Sequence, residues 1–348
     1  MNSIRGKNIL VTGACGTIGS NLVCEILTRA PRTVRAFDND EEGLFKLQQE
    51  LGDDSRTRFL LGDVRDKKRL ELAVEDIDVV FHTAALKHVV LNEYNPFETI
   101  QTNVQGTQNL IRAALDEGVS SFIAISTDKA SNPASVMGAT KLLSERLVIA
   151  ANTYKGDRQT KFGCVRFGNV LGSSGSVIPI FFRQIQRGGP VTVTDPEMTR
   201  FIMPIEEAVN LILSSMEIMT GGEVFVLKMP SLRIGMLARA MIDEYAPKAG
   251  HCPDTLNVEI VGPRPGERVH EKLISADECS QARELDDKFV ILPQIDFTGY
   301  EASNYTGGDR VQSEYTSADG DLLSEREMIE LLESNGLSTH PMNDPLGI

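Results

Sequence analysis

The chain has 348 residues, 41% hydrophobic and 24% charged, enough for roughly two domains of ordinary globular composition. Its formal net charge of −14 repels phosphate backbones, which argues against a nucleic-acid partner and leaves any anionic ligand to local basic residues. There is no signal-peptide core and no apolar run near the roughly 18 residues of a membrane span, and the five cysteines show no metal or disulfide spacing; these features predict a reduced cytoplasmic protein without membrane insertion or metal.

Asn8–Thr12 (NILVT) is a short apolar run closed by Gly13, the pattern of a buried strand. Thr17–Thr28 follows with helical spacing at Ile18, Leu22, Val23 and Ile26. Thr33–Asp38 reads as a strand, Glu41–Leu51 as a helix, and 58–61 and Val79–His82 as strands. A long helix is expected over 97–117, a strand over 122–126, a helix over 136–152 and a strand over 162–167. Alternation of this kind means βαβ units: an α/β Rossmann fold, a doubly wound parallel sheet with right-handed crossovers. It loosens after 169, although 206–216 and Ile234–Tyr245 still look helical. The expected organisation is a Rossmann domain over 1–170, a smaller substrate-binding lobe over 171–275 interleaved with the sheet, and a C-terminal extension over 276–348. Ser324 with Glu327 three residues on is a capping-box start for a short helix.

The segment Gly13-Ala14-Cys15-Gly16-Thr17-Ile18-Gly19 joins the first strand to the first helix. Gly13 permits the tight turn, Gly16 lets backbone approach a pyrophosphate, and Gly19 lets helix and strand pack closely. The helix start offers free N–H groups and a positive dipole end to phosphates. Asp38 closes the second strand at the distance expected for a ribose-binding acid. A carboxylate there repels a 2′-phosphate, and Asn39, Asp40, Glu41 and Glu42 follow without an arginine, so NAD is favoured over NADP. Asp63, before Val64, can accept from an adenine amino group or cap a helix; Ala84 and Ala85 supply small residues beside a cofactor.

These residues, with Asn103, Ser126 and Lys141, resemble the extended short-chain dehydrogenase/reductase family. More narrowly the chain resembles its UDP-N-acetylglucosamine 4,6-dehydratases. The matching stretches are 84–93 (AALKHVVLNE), 126–130 (STDKA), 138–141 (GATK), 166–175 (RFGNVLGSSG), 198–201 (MTRF) and 263–267 (PRPGE). One residue departs from the general pattern: Met137 stands where the family carries a tyrosine four residues before Lys141, a substitution that marks a branch of these dehydratases and leaves the base at sugar O4 unassigned.

The resemblance implies C4 oxidation, loss of water across C5 and C6, and hydride return to C6, with NAD tightly bound and recycled. It implies Lys129 as the C5 base, Asp128 as the acid at C6, and Lys141 on the nicotinamide ribose. Thr127 is the candidate for contacting O4 in place of the tyrosine, relaying its proton to Lys141 or water. Lys87, Asn103, Ser126, Phe167 and Val170 complete the implied cofactor set. Lys87, His88, Asn169, Ser176, Thr194, Arg200, Arg264 and Glu267 form the implied UDP-sugar site, where arginine forks suit a diphosphate. His82 is expected to be structural. A homo-oligomer, dimer or hexamer, is implied as well. Two alternatives stay open: a nucleotide-sugar 4-epimerase or reductase, and an NAD-sensing protein without turnover.

Overall fold

The computed structural model describes residues 3–173, 176–295, 297, 300, 305 and 307–337. The chain forms two compact units: residues 1–167, 205–228 and 272–315 in the first, and 168–204, 229–271 and 316–348 in the second.

The first unit opens with β1 (Asn8–Thr12), α1 (Thr17–Thr28), β2 (Thr33–Asp38), α2 (Glu41–Leu51), β3 (Thr57–Leu61), α3 (Lys67–Val74) and β4 (Val79–His82). Next come α4 (Val89–Tyr94), α5 (Pro96–Thr99), a π-helical segment (Ile100–Gln105), α6 (Gly106–Asp116), β5 (Ser121–Thr127), α7 (Val136–Tyr154) and β6 (Lys161–Phe167). The strands are apolar because helices cover both faces: Ile9, Leu10 and Val11 of β1 and Phe81 of β4 have no exposed surface. Side-chain caps fix several helix starts, with Asp40 accepting from Gly43 N and Ser135 from Gly138 N.

The second unit receives β7 (Asn169–Val170), α8 (Val177–Gln186), β8 (Val191–Val193) and β9 (Thr199–Met203). The chain returns to the first unit for α9 (Ile205–Ile218) and β10 (Val224–Leu227), then leaves for β11 (Ser231–Arg233), α10 (Ile234–Tyr245) and β12 (Val258–Ile260). It re-enters with β13 (Lys272–Ile274), α11 (Ala276–Cys279), β14 (Ala282–Glu284), β15 (Lys288–Ile291) and β16 (Asp309–Arg310), and α12 (Glu325–Ser334) ends the described chain in the second unit. Ser324 and Glu327 form the expected capping box of α12.

The first unit holds a ten-stranded sheet in the order β16-β14-β15-β10-β6-β5-β4-β1-β2-β3, parallel from β10 to β3. Strand order reverses between β1 and β4, so the crevice at their carboxyl ends is where a doubly wound sheet binds its ligand. In the second unit, β11-β9-β7 form one small sheet and β12-β8 another. Ile178, Phe181 and Ile185 of α8 share a core there with Leu237 and Met241 of α10 and Met328 and Leu332 of α12.

Two expectations are corrected. The 276–348 segment is not an appended block, because β14, β15 and β16 extend the first unit's sheet and α12 belongs to the second unit; residues 338–348 lie outside the described residues. The helix over 97–117 is interrupted by the π segment. Its loosened ladder leaves the Asn103 carbonyl to the hydroxyls of Thr107 and Ser144, both at 2.6 Å. The Asn103 side chain accepts from Leu86 N at 2.8 Å and donates to Thr140 Oγ1 at 3.1 Å.

Candidate active site

The Gly-rich loop packs against the end of β4. Gly13 has φ +71°, and a Cβ on it would lie 2.6 Å from Ala84 N, so only glycine fits this approach. A Cβ on Gly19 would strike the Gly13 carbonyl. The N-cap of α1 is Gly16, with no side-chain cap, so the first N–H groups of this helix stay open for an anion. Asp38 at the end of β2 accepts from Cys15 N at 2.9 Å through Oδ2 and from Asp40 N at 3.1 Å through Oδ1, which ties the loop to the acid. Burial and the neighbouring Asp38 push the Cys15 thiol up to about 12, so it stays protonated. Thr17 and Ile18 begin α1. An uncapped helix start, a glycine cradle and a strand-end acid fit a dinucleotide.

The expected adenine contact is differently engaged. Asp63 is gripped by the Arg65 guanidinium at 2.6–3.0 Å and also bonds the Asn39 side chain, while the N-cap of α3 is Asp66. Val64 is buried, with its Cγ2 2.6 Å from where a Cβ on Gly106 would stand. Ala85 is half-buried, and Lys87 and His88 are exposed on the loop into α4.

His82 is fully buried and bridges Thr12 Oγ1 (2.7 Å, Nδ1) and Thr107 Oγ1 (3.0 Å, Nε2). Burial, then the charge of Lys141, lowers its pKa to about 3, so it is a neutral cross-link between strand and helix.

At the end of β5 the chain turns through one 3₁₀ turn, Asp128–Ala130. Asp128 Oδ1 accepts from Thr127 Oγ1 at 2.7 Å, Lys129 N at 2.9 Å and Lys129 Nζ at 3.0 Å. The Asp128 side chain has no exposed surface, and its Oδ2 has no partner among the described residues; Thr127 and Lys129 are half-buried. The buried Oγ of Ser126 is likewise unpartnered among them. Gly138 holds this turn against α7, since a Cβ there would meet the Lys129 carbonyl. Met137 is buried in the first turn of α7, one helical turn before Lys141. Lys141 Nζ donates to Ile125 O at 2.6 Å, and burial lowers its pKa against the pull of Cys164 and Glu145.

Two positioning features escaped the sequence reading. Glu93 Oε1 accepts from Val136 N at 2.6 Å and so fixes the start of α7 beside Met137. Arg166, fully buried, bonds Glu145 at 3.0 and 2.7 Å, Glu278 at 3.0 and 2.9 Å, and Leu273 O at 2.7 Å. All five of its N–H donors are thereby used. Ser131, just after the Asp128 turn, reaches Glu278 Oε2 at 3.4 Å. No local signal marks either feature, because the partners lie 43 and 112 positions apart.

The other expected residues sit as follows. Phe167 is buried at the end of β6 in the first unit. In the second unit Val170 is buried on β7, and Asn169 Oδ1 and Ser176 Oγ are buried without partners among the described residues. Ser174 and Gly175, in the 166–175 stretch, lie outside those residues. Thr194 Oγ1 and Arg200 Nη2 both donate to Met198 Sδ, at 3.3 and 3.2 Å. Arg200 also donates to Thr199 O of its own strand at 2.7 Å and to Val269 O at 3.1 Å, and these two carbonyls orient it. Glu267 Oε2 accepts from Arg264 N at 3.0 Å, leaving the Arg264 side chain exposed.

The family described as "Polysaccharide biosynthesis protein" matches residues 9–293. The chain belongs to that polysaccharide biosynthesis family. It is 55% identical over 292 residues to an uncharacterized membrane protein of Methanocaldococcus jannaschii, covering 84% of this chain and 87% of that one. It is 40% identical over 337 residues to the UDP-N-acetylglucosamine 4,6-dehydratase (inverting) of Campylobacter jejuni, covering 94% and 97%. The solved structure of Pen from Bacillus thuringiensis superimposes with a TM-score of 0.88 at 40% identity, covering 96% of this chain and 99% of that one. Among the described residues no helix is long and apolar enough to cross a membrane. This member of the polysaccharide biosynthesis family thus sets a hydroxyl, a buried carboxylate and an amine in contact at a strand end, on a fold with a dinucleotide cradle, and that set can move protons on a bound sugar.

Proposed function

We propose that the protein is a nucleotide-sugar 4,6-dehydratase that converts UDP-N-acetylglucosamine to a UDP-4-keto-6-deoxy sugar in the cytoplasm. The observation that carries this reading is the Thr127–Asp128–Lys129 cluster at the end of β5, with an acid and a base 3.0 Å apart. Elimination across C5 and C6 needs such a pair, whereas epimerisation at C4 does not. The relatives named as dehydratases support the same substrate. A nicotinamide dinucleotide bound at the 13–19 loop supplies the acceptor for the C4 hydride and its return to C6. Asp38 favours NAD there over NADP. Lys129 takes the proton from C5, Asp128 supplies the acid for the departing C6 hydroxyl, and Thr127 faces O4, where Met137 has no proton to exchange. Lys141, by the resemblance, holds the nicotinamide ribose. The arginines Arg200 and Arg264, with Asn169, Ser176, Thr194, Glu267, Lys87 and His88, serve the UDP moiety.

Incubation with UDP-N-acetylglucosamine tests the reading: mass spectrometry shows loss of water, while an unchanged mass points to an epimerase and no product at all refutes the proposal. NMR of the product formed in deuterated water reports the C5 configuration. NAD is proposed to stay bound through turnover, so the protein is expected to purify with it.

We further infer a homo-oligomer. Leu91, Tyr94 and Phe97 expose 59%, 83% and 77% of their surface, and Ile100 and Leu143 about half, on α4, α5, the π segment and α7. A second copy is the proposed cover. Light scattering is expected to show a dimer or hexamer, and Phe97→Asp to shift it toward monomer; a monomeric parent protein would overturn the inference.

A further inference from the structure

We infer that Asp128 never meets the sugar directly and is instead a buried proton store reached through the Thr127 hydroxyl, which collects the proton of O4 and delivers the same proton to O6. The inference rests on the dehydratase reading and specifies where its protons go.

Three observations carry it. The Asp128 side chain has no exposed surface, whereas Thr127 and Lys129, which bond to it, are only half-buried. Thr127 Oγ1 donates its proton to Asp128 Oδ1 at 2.7 Å, and a hydroxyl can relay a proton only to the acceptor it already faces. Lys141 Nζ is directed at a different group, donating to the Ile125 carbonyl at 2.6 Å. Met137 offers no alternative, because a thioether carries no exchangeable proton.

The sugar's geometry suits one shared hydroxyl. C4 and C6 are both bonded to C5, so O4 and O6 lie close enough for Thr127 to face each in turn. In the first step the O4–H bond breaks, its proton moves to Thr127 Oγ as the Thr127 proton moves to Asp128, and C4 loses its hydride to the nicotinamide oxidant, which leaves a C4 carbonyl. In the second step neutral Lys129 takes the C5 proton, the C5–C6 double bond forms, and the C6–O bond breaks. Asp128 sends its proton back through Thr127, so O6 departs as water. Hydride then returns to C6, a proton returns to C5, and Lys129 gives up the one it took. The sugar has lost one water, and Asp128 and Lys129 are again in their starting states. The proton that passes from O4 to O6 needs no exchange with bulk water, which suits a carboxylate sealed from solvent.

The test uses the full chain with its nicotinamide dinucleotide and the 6-deoxy analogue of the UDP-sugar, which can be oxidised at C4 but cannot eliminate. Nicotinamide absorbance follows oxidation, and a pH-indicator dye follows proton release. With wild-type protein, the relay predicts cofactor reduction with no proton released to the dye. Asp128→Asn and Thr127→Val are expected to slow analogue oxidation by about 100-fold or more, and Thr127→Ser to stay within about tenfold of wild type. An acid that serves only at C6 gives the opposite outcome: Asp128→Asn oxidises the analogue at the wild-type rate, and one proton appears per cofactor reduced. Either of those results overturns the relay. If Asp128→Asn does not fold, Thr127→Val and the wild-type dye measurement decide. Wild-type protein that dehydrates the parent UDP-sugar but gives an overturning result removes the relay alone; wild-type protein that makes no 4-keto-6-deoxy product removes the dehydratase reading with it.

Discussion

Replacing Arg166 with methionine is the most informative perturbation of the scaffold under the site. Arg166 is fully buried between Glu145 and Glu278, so the cluster of three carries one net negative charge. Burial works against the Arg166 charge, but the two carboxylates outweigh it and hold its pKa above the ordinary value. For Glu278, burial raises the pKa and Arg166 more than offsets this, leaving it lowered. Glu278→Gln leaves a neutral Arg166–Glu145 pair and weakens bonds to a charged group, a loss of about 1.5–3 kcal/mol. Arg166→Met instead leaves two buried carboxylates without their cation. Breaking a buried pair in this way costs about 3–5 kcal/mol, a large part of the roughly 5–15 kcal/mol that holds a typical domain folded. Guanidinium unfolding followed by circular dichroism reads both numbers. Acid gives a third reading. Because the folded pKa of Glu278 is depressed, its contribution is present above the unfolded value of about 4.3 and is lost as pH falls through the folded one. Glu278→Gln should flatten stability over that range. Equal destabilisation by Arg166→Met and Glu278→Gln would show that the arginine does not neutralise the pair, and the electrostatic account would fall.

Gly13→Ala should abolish dinucleotide binding, measured by quenching of nicotinamide fluorescence, because the new Cβ lies 2.6 Å from Ala84 N at a φ of +71°; wild-type affinity in that variant would contradict the cradle. Lys129→Ala should lower dehydration by about 10²–10⁴-fold and remove C5 exchange with deuterated water while sparing C4 oxidation, and a variant that retains exchange assigns the C5 base elsewhere. His82, held neutral down to about pH 3, charges only on unfolding as pH drops below 6.5. Stability should therefore fall by about 2 kcal/mol between pH 7.5 and 5, and His82→Gln should lose that slope; an NMR titration showing His82 protonated at pH 5 would contradict it.

The parallel sheet was readable because its strands are buried on both faces and so appear as unbroken apolar runs, such as NILVT in β1 and VVFH in β4. The second unit was not readable in the same way. Its β7 has two residues and β8 and β11 have three, too few for any periodicity to register. Helix α8 hides behind a Gly/Ser loop, and its apolar face is defined only by α10 and α12, which come much later in the chain. The π segment has no local signature, since it depends on Asn103 finding Leu86 and on Ser144 of a different helix. In the candidate site, the residue types at 127–129 were legible from the sequence, but the sealing of Asp128 was not, because burial is a property of the assembled fold.

The five crossings of the chain between its units have a consequence for synthesis. When residue 167 has just been made, β6 is an open edge whose later neighbour, β10, begins only at Val224, and Glu278, one of the two carboxylates around Arg166, comes later still. A growing chain thus exposes an unpaired strand edge and an incompletely neutralised arginine while the whole of the second unit is still to be made. Neither unit can be excised as one continuous gene fragment, so the lobe cannot be exchanged as a single cassette.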